Sequence, residues 1–260
     1  LDPQELESEK KVVISELEGD DDTPHSRLFE ALQTATLNGT PYGRPIIGYR
    51  ETINALTAED LRAYIDRWYQ PQNMLLLVAG DIDPEEVLAH AQALFGDLRN
   101  STDLDVPAPV DLTVAPGGPR VEVVRGPWNK VYVGVGFPAP ALSDARSVPL
   151  DVLAYLLGGD GTSLLQRKYR YEKQWVESVS AGNMSLARAG LFLVTAQLDA
   201  EKLGPFMEEL ARDLSRLDAR RFGDAALARA RFNLADAMDR AGETLNGLAS
   251  WRGTVQFDLG

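Results

Sequence analysis

Glu9 and Glu16 stand seven residues apart in the stretch EKKVVISE, with Val12, Val13 and Ile14 between them. On a helix seven residues make nearly two turns, so the two carboxylates project in almost the same direction, about 10 Å apart along the axis. A carboxylate beside apolar neighbours is desolvated unless it is paired or bound to a cation, so metal ligation or support of acid/base chemistry is one reading. The other is the solvated edge of an amphipathic helix, and by spacing alone that reading leads. Elsewhere the chemistry is sparse. The two histidines, His25 and His90, show no H-x-x-E-H or other paired spacing; His90 sits among alanines, and both read as structural. With no cysteine either, these 260 residues assemble no conventional zinc site unaided. The run GGDGTS at 158–163 follows a helical stretch and lacks the lysine of a phosphate-binding loop, so it reads as a turn between helices. Two histidines among many serines support no Ser/His/Asp arrangement.

The elements that must position these residues belong to a folded chain. Its 260 residues are 44% hydrophobic, enough for one large core or two ordinary ones. Against 39 acidic residues stand 26 basic ones, a net charge of −13 that argues against nucleic-acid or anionic-membrane partners. No apolar run reaches the roughly 18 residues of a spanning helix, and the opening LDPQELESEKK has neither the basic flank nor the apolar centre of a signal peptide. A soluble protein is expected, with the compartment open between bacterial cytoplasm and periplasm.

Helical spacing of Leu6, Val13 and Leu17, with Lys11, Ser15 and Glu18 opposite, predicts an amphipathic helix over 3–18. Further helices are predicted at 26–37, from Thr57 to Trp68, and from Asp83 to Phe95. The continuous apolar run Met74 to Gly80 suggests a strand buried on both faces. Residues 99–119 hold four prolines with little periodicity and are expected to form a linker or domain boundary. Beyond it, strands are predicted at Val121–Val124, Val131–Phe137, Val176–Ala181 and Leu191–Leu198. Helices are predicted at about 143–157, 163–173, 201–217 and 224–251. Without gaps, Leu75–Leu98 pairs with Leu191–Leu214, which matches Asp83 to Asp199 as helix N-caps and suggests a recurring strand-to-helix unit.

The order of these pieces resembles the M16 zinc metallopeptidases, the family of pitrilysin, insulin-degrading enzyme and mitochondrial processing peptidase. The motifs that carry the resemblance are EKKVVISE at 9–16, TPYGRPIIG at 40–48, TAEDL at 57–61, YQPQNM at 69–74, VAGDID at 78–83, LGGDGTS at 157–163 and EKQWVESVSA at 172–181. It implies an α+β fold of two related modules, each an antiparallel sheet with helices packed on one face, the first lacking its opening strand and helix. Residues 1–98 would be the C-terminal part of the first, metal-carrying module and 120–260 most of the second, joined by 99–119.

In that family an H-x-x-E-H helix supplies two zinc-ligating histidines and a general-base glutamate, and a later E-x6-E helix supplies the third ligand. The resemblance places Glu16 at that third ligand and Glu9 at its supporting acid. Three protein ligands leave a coordination position for a water, which the metal acidifies and the base deprotonates for attack on a peptide carbonyl. It therefore implies zinc-dependent cleavage of peptides or unfolded polypeptides, in a homo- or hetero-oligomer with another M16 subunit. These 260 residues contain no H-x-x-E-H; that segment is expected before Glu9, and the chain is expected to be a fragment cut at both ends, inactive and without tightly held zinc. Many family members also carry an Arg after the glycine-rich turn and a Tyr before the following strand, thought to hold substrate; here those positions are Leu164 and Glu177. That departure resembles a metal-carrying subunit whose mate supplies the pair, and equally a non-catalytic structural or partner subunit.

Overall fold

Three strands, β1 (Val131–Ala139), β2 (Val176–Ser185) and β3 (Gly190–Leu198), form an antiparallel sheet in the order β1-β3-β2. They belong to a computed structural model that describes residues 2–101, 104 and 119–259. Alternation fixes the register. Val131, Val133 and Val135 stand opposite Leu198, Ala196 and Val194, and from the far side Val176 and Val179 meet the same Leu198 and Ala196. Val176 and Val179 are three residues apart, an odd spacing that a regular strand would send to opposite faces. A register shift between Val176 and Ser178 absorbs the mismatch, with Glu177 as the extra residue of a β-bulge.

The helices are α1 (Pro3–Asp22), α2 (Pro24–Thr36), α3 (Arg50–Ala55), α4 (Ala58–Trp68), α5 (Pro84–Phe95), α6 (Ser147–Ala154), α7 (Leu203–Ser215), α8 (Asp224–Ala241) and α9 (Leu245–Leu259). Two compact units divide the chain: Leu1–Val12, Glu51–Ala108 and Ala235–Gly260 form one, Val13–Arg50 and Pro109–Leu234 the other. The expected linker at 99–119 lies almost wholly outside the described residues.

In the second unit the core joins the sheet to α7 and to the wide π-helical turns at Tyr155–Gly159 and Gln166–Glu172. Tyr169 and Phe206 are both fully buried, with ring centroids 5.0 Å apart in an edge-to-face pair. Beside them sits a buried carboxylate. Asp213 accepts from Lys168 Nζ at 2.6 Å, Tyr169 Oη at 2.8 Å and an Arg221 guanidinium nitrogen at 3.3 Å. Lys168 also meets Glu209 at 2.9 Å, and Glu209 meets Lys173 at 2.8 Å. Burial alone would push the Asp213 carboxyl up; the hydrogen bonds from Lys168 and Tyr169, with the Lys168 charge, outweigh it and hold the group below its ordinary value. Helix α2 lies on the other side of β1, where a Cβ at Gly136 would come within 2.4 Å of Thr36 Oγ1. The glycine lets helix and strand approach.

The first unit is helical. Thr57 and Asp60 exchange both bonds of a capping box at the start of α4, and Asp83 caps α5 through the backbone N–H groups of Glu85 and Glu86. Here two expectations fail. Met74–Gly80 joins no ladder, and Met74 to Val78 are 44–58% exposed instead of buried. Val121–Val124, in the other unit, is likewise unpaired and exposed. A β-strand exists through a neighbour that takes its N–H and C=O groups, and among the described residues neither segment has one. The α+β class with an antiparallel sheet and packed helices stands, but all of its described strands lie in the second unit.

Smaller departures have local causes. The helix expected over 224–251 breaks after Ala241, and Thr244 Oγ1 restarts it by accepting from the Gly247 N–H at 3.0 Å. Asp199 does not cap α7. Its carboxylate accepts from Lys130 Nζ at 2.7 Å, and a 3-10 turn at Ala200–Lys202 precedes the helix.

Because the folded Asp213 carboxyl titrates below its unfolded value, its contribution is complete above about pH 4 and fades as the pH falls through the folded value. Asp213→Asn should cost about 2 kcal/mol in urea denaturation at pH 7, with the gap to the parent closing at pH 3. A Cβ on Gly158 would lie 2.2 Å from the Ala181 backbone nitrogen, whereas Gly204 in α7 has nothing within 4 Å. Gly158→Ala should therefore destabilise by at least about 2 kcal/mol, and Gly204→Ala should stabilise by up to about 1 kcal/mol, read as a higher urea midpoint.

Candidate functional site

Helix α1 carries Glu9 and Glu16 as the spacing requires, and its two sides differ. Leu6, Lys10, Val13, Ile14 and Leu17 are half-buried, while Glu9, Val12 and Glu16 form an exposed stripe, with Val12 57% exposed. Of the other acids of the helix, Glu7 pairs with Lys10 at 2.7 Å and Glu18 with Arg50 at 2.9 Å, whereas Glu5 and Asp20 make no ion pair among the described residues. Glu9 and Glu16 make no hydrogen bond or ion pair among the described residues. Two carboxylates on one stripe, held by a regular backbone and unclaimed by any cation, can accept a cation or a hydrogen-bond donor from outside.

They do not make a metal site by themselves. No group of three His, Cys, Asp or Glu side chains able to hold a metal ion occurs among the described residues. His25 packs edge-to-face on Tyr132 at 4.9 Å, and His90 lies exposed on α5. Neither joins the acidic stripe in such a group.

The glycine-rich turn is built around Asp160. Its carboxylate accepts from the Thr162 N–H at 2.8 Å, Thr162 Oγ1 at 2.7 Å, Tyr155 Oη at 3.0 Å and Arg229 Nε at 3.3 Å. Burial would raise the carboxyl, and the bonds from Thr162 and Tyr155 with the Arg229 charge bring it below the ordinary value. Every oxygen of Asp160 is engaged, which agrees with a structural turn. No phosphate cradle is left open there.

Leu164, just after this turn, is partly buried against the core. Glu177 is committed as well. The bulge that brings Val176 and Val179 to one face turns Glu177 toward Lys130, with which it is ion-paired, and its second oxygen accepts from Gln197 Nε2 at 2.8 Å. Lys130 is shared with Asp199, and those hydrogen bonds, Asp199's first, raise its pKa well above the usual lysine value. The partners of Glu177 escape a local reading of the sequence because Lys130 is 47 residues away. The odd spacing of two core valines is the signal that could have revealed the bulge.

Among the described residues no helix is long and apolar enough to cross a membrane. The family model described as "Peptidase M16 inactive domain" matches residues 55–234. An uncharacterized zinc protease of Streptomyces coelicolor is 28% identical over 203 residues, 75% of this chain and 43% of that protein. A protein of Arabidopsis thaliana described as "Probable mitochondrial-processing peptidase subunit beta" is 26% identical over 252 residues, 92% of this chain and 46% of that protein. The chain thus spans about half the length of the curated relatives it matches. The crystal structure of a protease from Helicobacter pylori superposes with a TM-score of 0.87 at 24% identity, over 99% of this chain and 63% of that one. With a family model spanning most of its length, the chain belongs to the M16 peptidase family, and residues 55–234 are of its inactive-domain type.

Proposed function

We propose that the full-length protein is a zinc-dependent endopeptidase acting on peptides or unfolded polypeptides, with Glu16 as the third zinc ligand and Glu9 as its supporting acid. The observation that carries this reading is the geometry of α1, which sets the two carboxylates on one exposed stripe. Glu7 and Glu18 are paired, while Glu9 and Glu16 share an exposed stripe without partners among the described residues. Relatives named as zinc proteases support it. Zinc requires more ligands than these two carboxylates, so the 260-residue chain by itself should neither hold zinc tightly nor cleave peptides. In this reading residues 1–98 close the first, metal-carrying module, 99–119 link, and 120–260 form most of the second.

Leu164 and Glu177 stand where the family's substrate-holding pair would be, one against the core and the other tied to Lys130 and Gln197. The chain therefore works beside another M16 subunit that supplies the pair. The same observation supports a second reading, a non-catalytic structural or partner subunit, and the match to an inactive-domain model weighs in the same direction.

Zinc analysis and a quenched-peptide assay on the full-length protein, alone and with a partner subunit, separate the two. Zinc bound together with cleavage supports the peptidase; zinc bound with no cleavage in either condition defeats it. Glu9→Gln should weaken zinc binding by about 10- to 100-fold, as loss of a support to a metal ligand does, and Glu16→Gln by more.

A further inference from the structure

An apolar trough of about 570 Å³ runs beside α6 within the second unit, distinct from the acidic stripe of α1. Val148 and Val152 of α6, Leu156 of the following turn, and Phe222 and Leu227 across from them form its walls. Two charged residues line it, and they are not equivalent. Asp218 is closed off by Arg220, whose Nε lies 2.9 Å and 3.1 Å from its two oxygens. Arg231 has no hydrogen bond or ion pair among the described residues, so its guanidinium is the one charge on the trough still open to an incoming group. An apolar surface lined also by an unpaired arginine complements a ligand that joins an apolar body to a carboxylate.

We infer that this trough binds the C-terminal end of a peptide, the terminal carboxylate on Arg231 and the last apolar side chain against Val152, Leu156 and Leu227. A chain end carries both groups on one Cα. The trough is also open to water along α6, where Val148 is 62% exposed, so a bare aliphatic chain would keep one side hydrated. A peptide presents its polar backbone to that side. Neither zinc nor the acidic stripe takes part, so binding here stands whether or not the protein is a peptidase.

The test is isothermal titration of the 260-residue chain with acetyl-Ala-Leu-Leu as the free acid, its C-terminal amide, and octanoate. The acid should bind about tenfold more tightly than the amide, the effect of one charge-assisted contact at a partly exposed site. Arg231→Gln should remove that preference while leaving amide binding unchanged. Val148→Asp, an exposed change on the trough wall, should weaken both peptides, with circular dichroism confirming the fold of each variant. Equal binding of acid and amide, a preference that survives Arg231→Gln, binding of octanoate but neither peptide, or no binding at all would each overturn the assignment.

Discussion

The second unit hangs on one carboxylate. Asp213, on α7, takes hydrogen bonds from Lys168, Tyr169 and Arg221 and so joins α7 to the π-helical turn at Gln166–Glu172 and to the chain beyond α7. Leaving any of these groups buried and unpaired would cost more than the bond itself contributes, so their partners are fixed once the helices pack. That locks the ring of Tyr169 against Phe206, and with it the floor on which the sheet rests. The wide turns at Tyr155–Gly159 and Gln166–Glu172 flank β2 and deliver the backbone of Gly158 against Ala181.

Charge is distributed by the same logic. The chain carries a net −13, yet its partly buried acids each meet cations or donors: Asp213 with Lys168 and Arg221, Glu209 with Lys168 and Lys173, Asp160 with Arg229. Exposed carboxylates stay solvated without a partner at little cost, which is why Glu9 and Glu16 can stand unpaired without endangering the fold. Burial by itself would not have separated structural acids from candidate functional ones, because Glu7 and Glu18 are exposed too. Pairing sets Glu7 and Glu18 apart from them.

Much of this was legible in the sequence where a period was long enough to read. The amphipathic face of α1, strands read at 131–137, 176–181 and 191–198 that the structure extends to 131–139, 176–185 and 190–198, and the caps at Thr57 and Asp83 follow from spacing and residue type. Met74–Gly80 misled because a continuous apolar run reports a preference for burial and says nothing of whether a neighbouring strand is at hand. Asp199 misled because its position favours a cap, while Lys130, distant in sequence, offered its carboxylate a stronger partner. For the site, EKKVVISE gave both acids and the helix between them; their lack of partners is a tertiary fact that no local pattern carries.

The bulge at Glu177 has a consequence beyond its own contacts. A strand is read two residues at a time, and one additional residue works like a frameshift: everything on one side keeps its phase relative to the core, and everything on the other side is re-phased. Strand β2 therefore behaves as two words with a spacer. Removing the spacer, even while keeping every apolar letter, would turn the valine at one end outward and leave Lys130 with Asp199 as its remaining counter-charge.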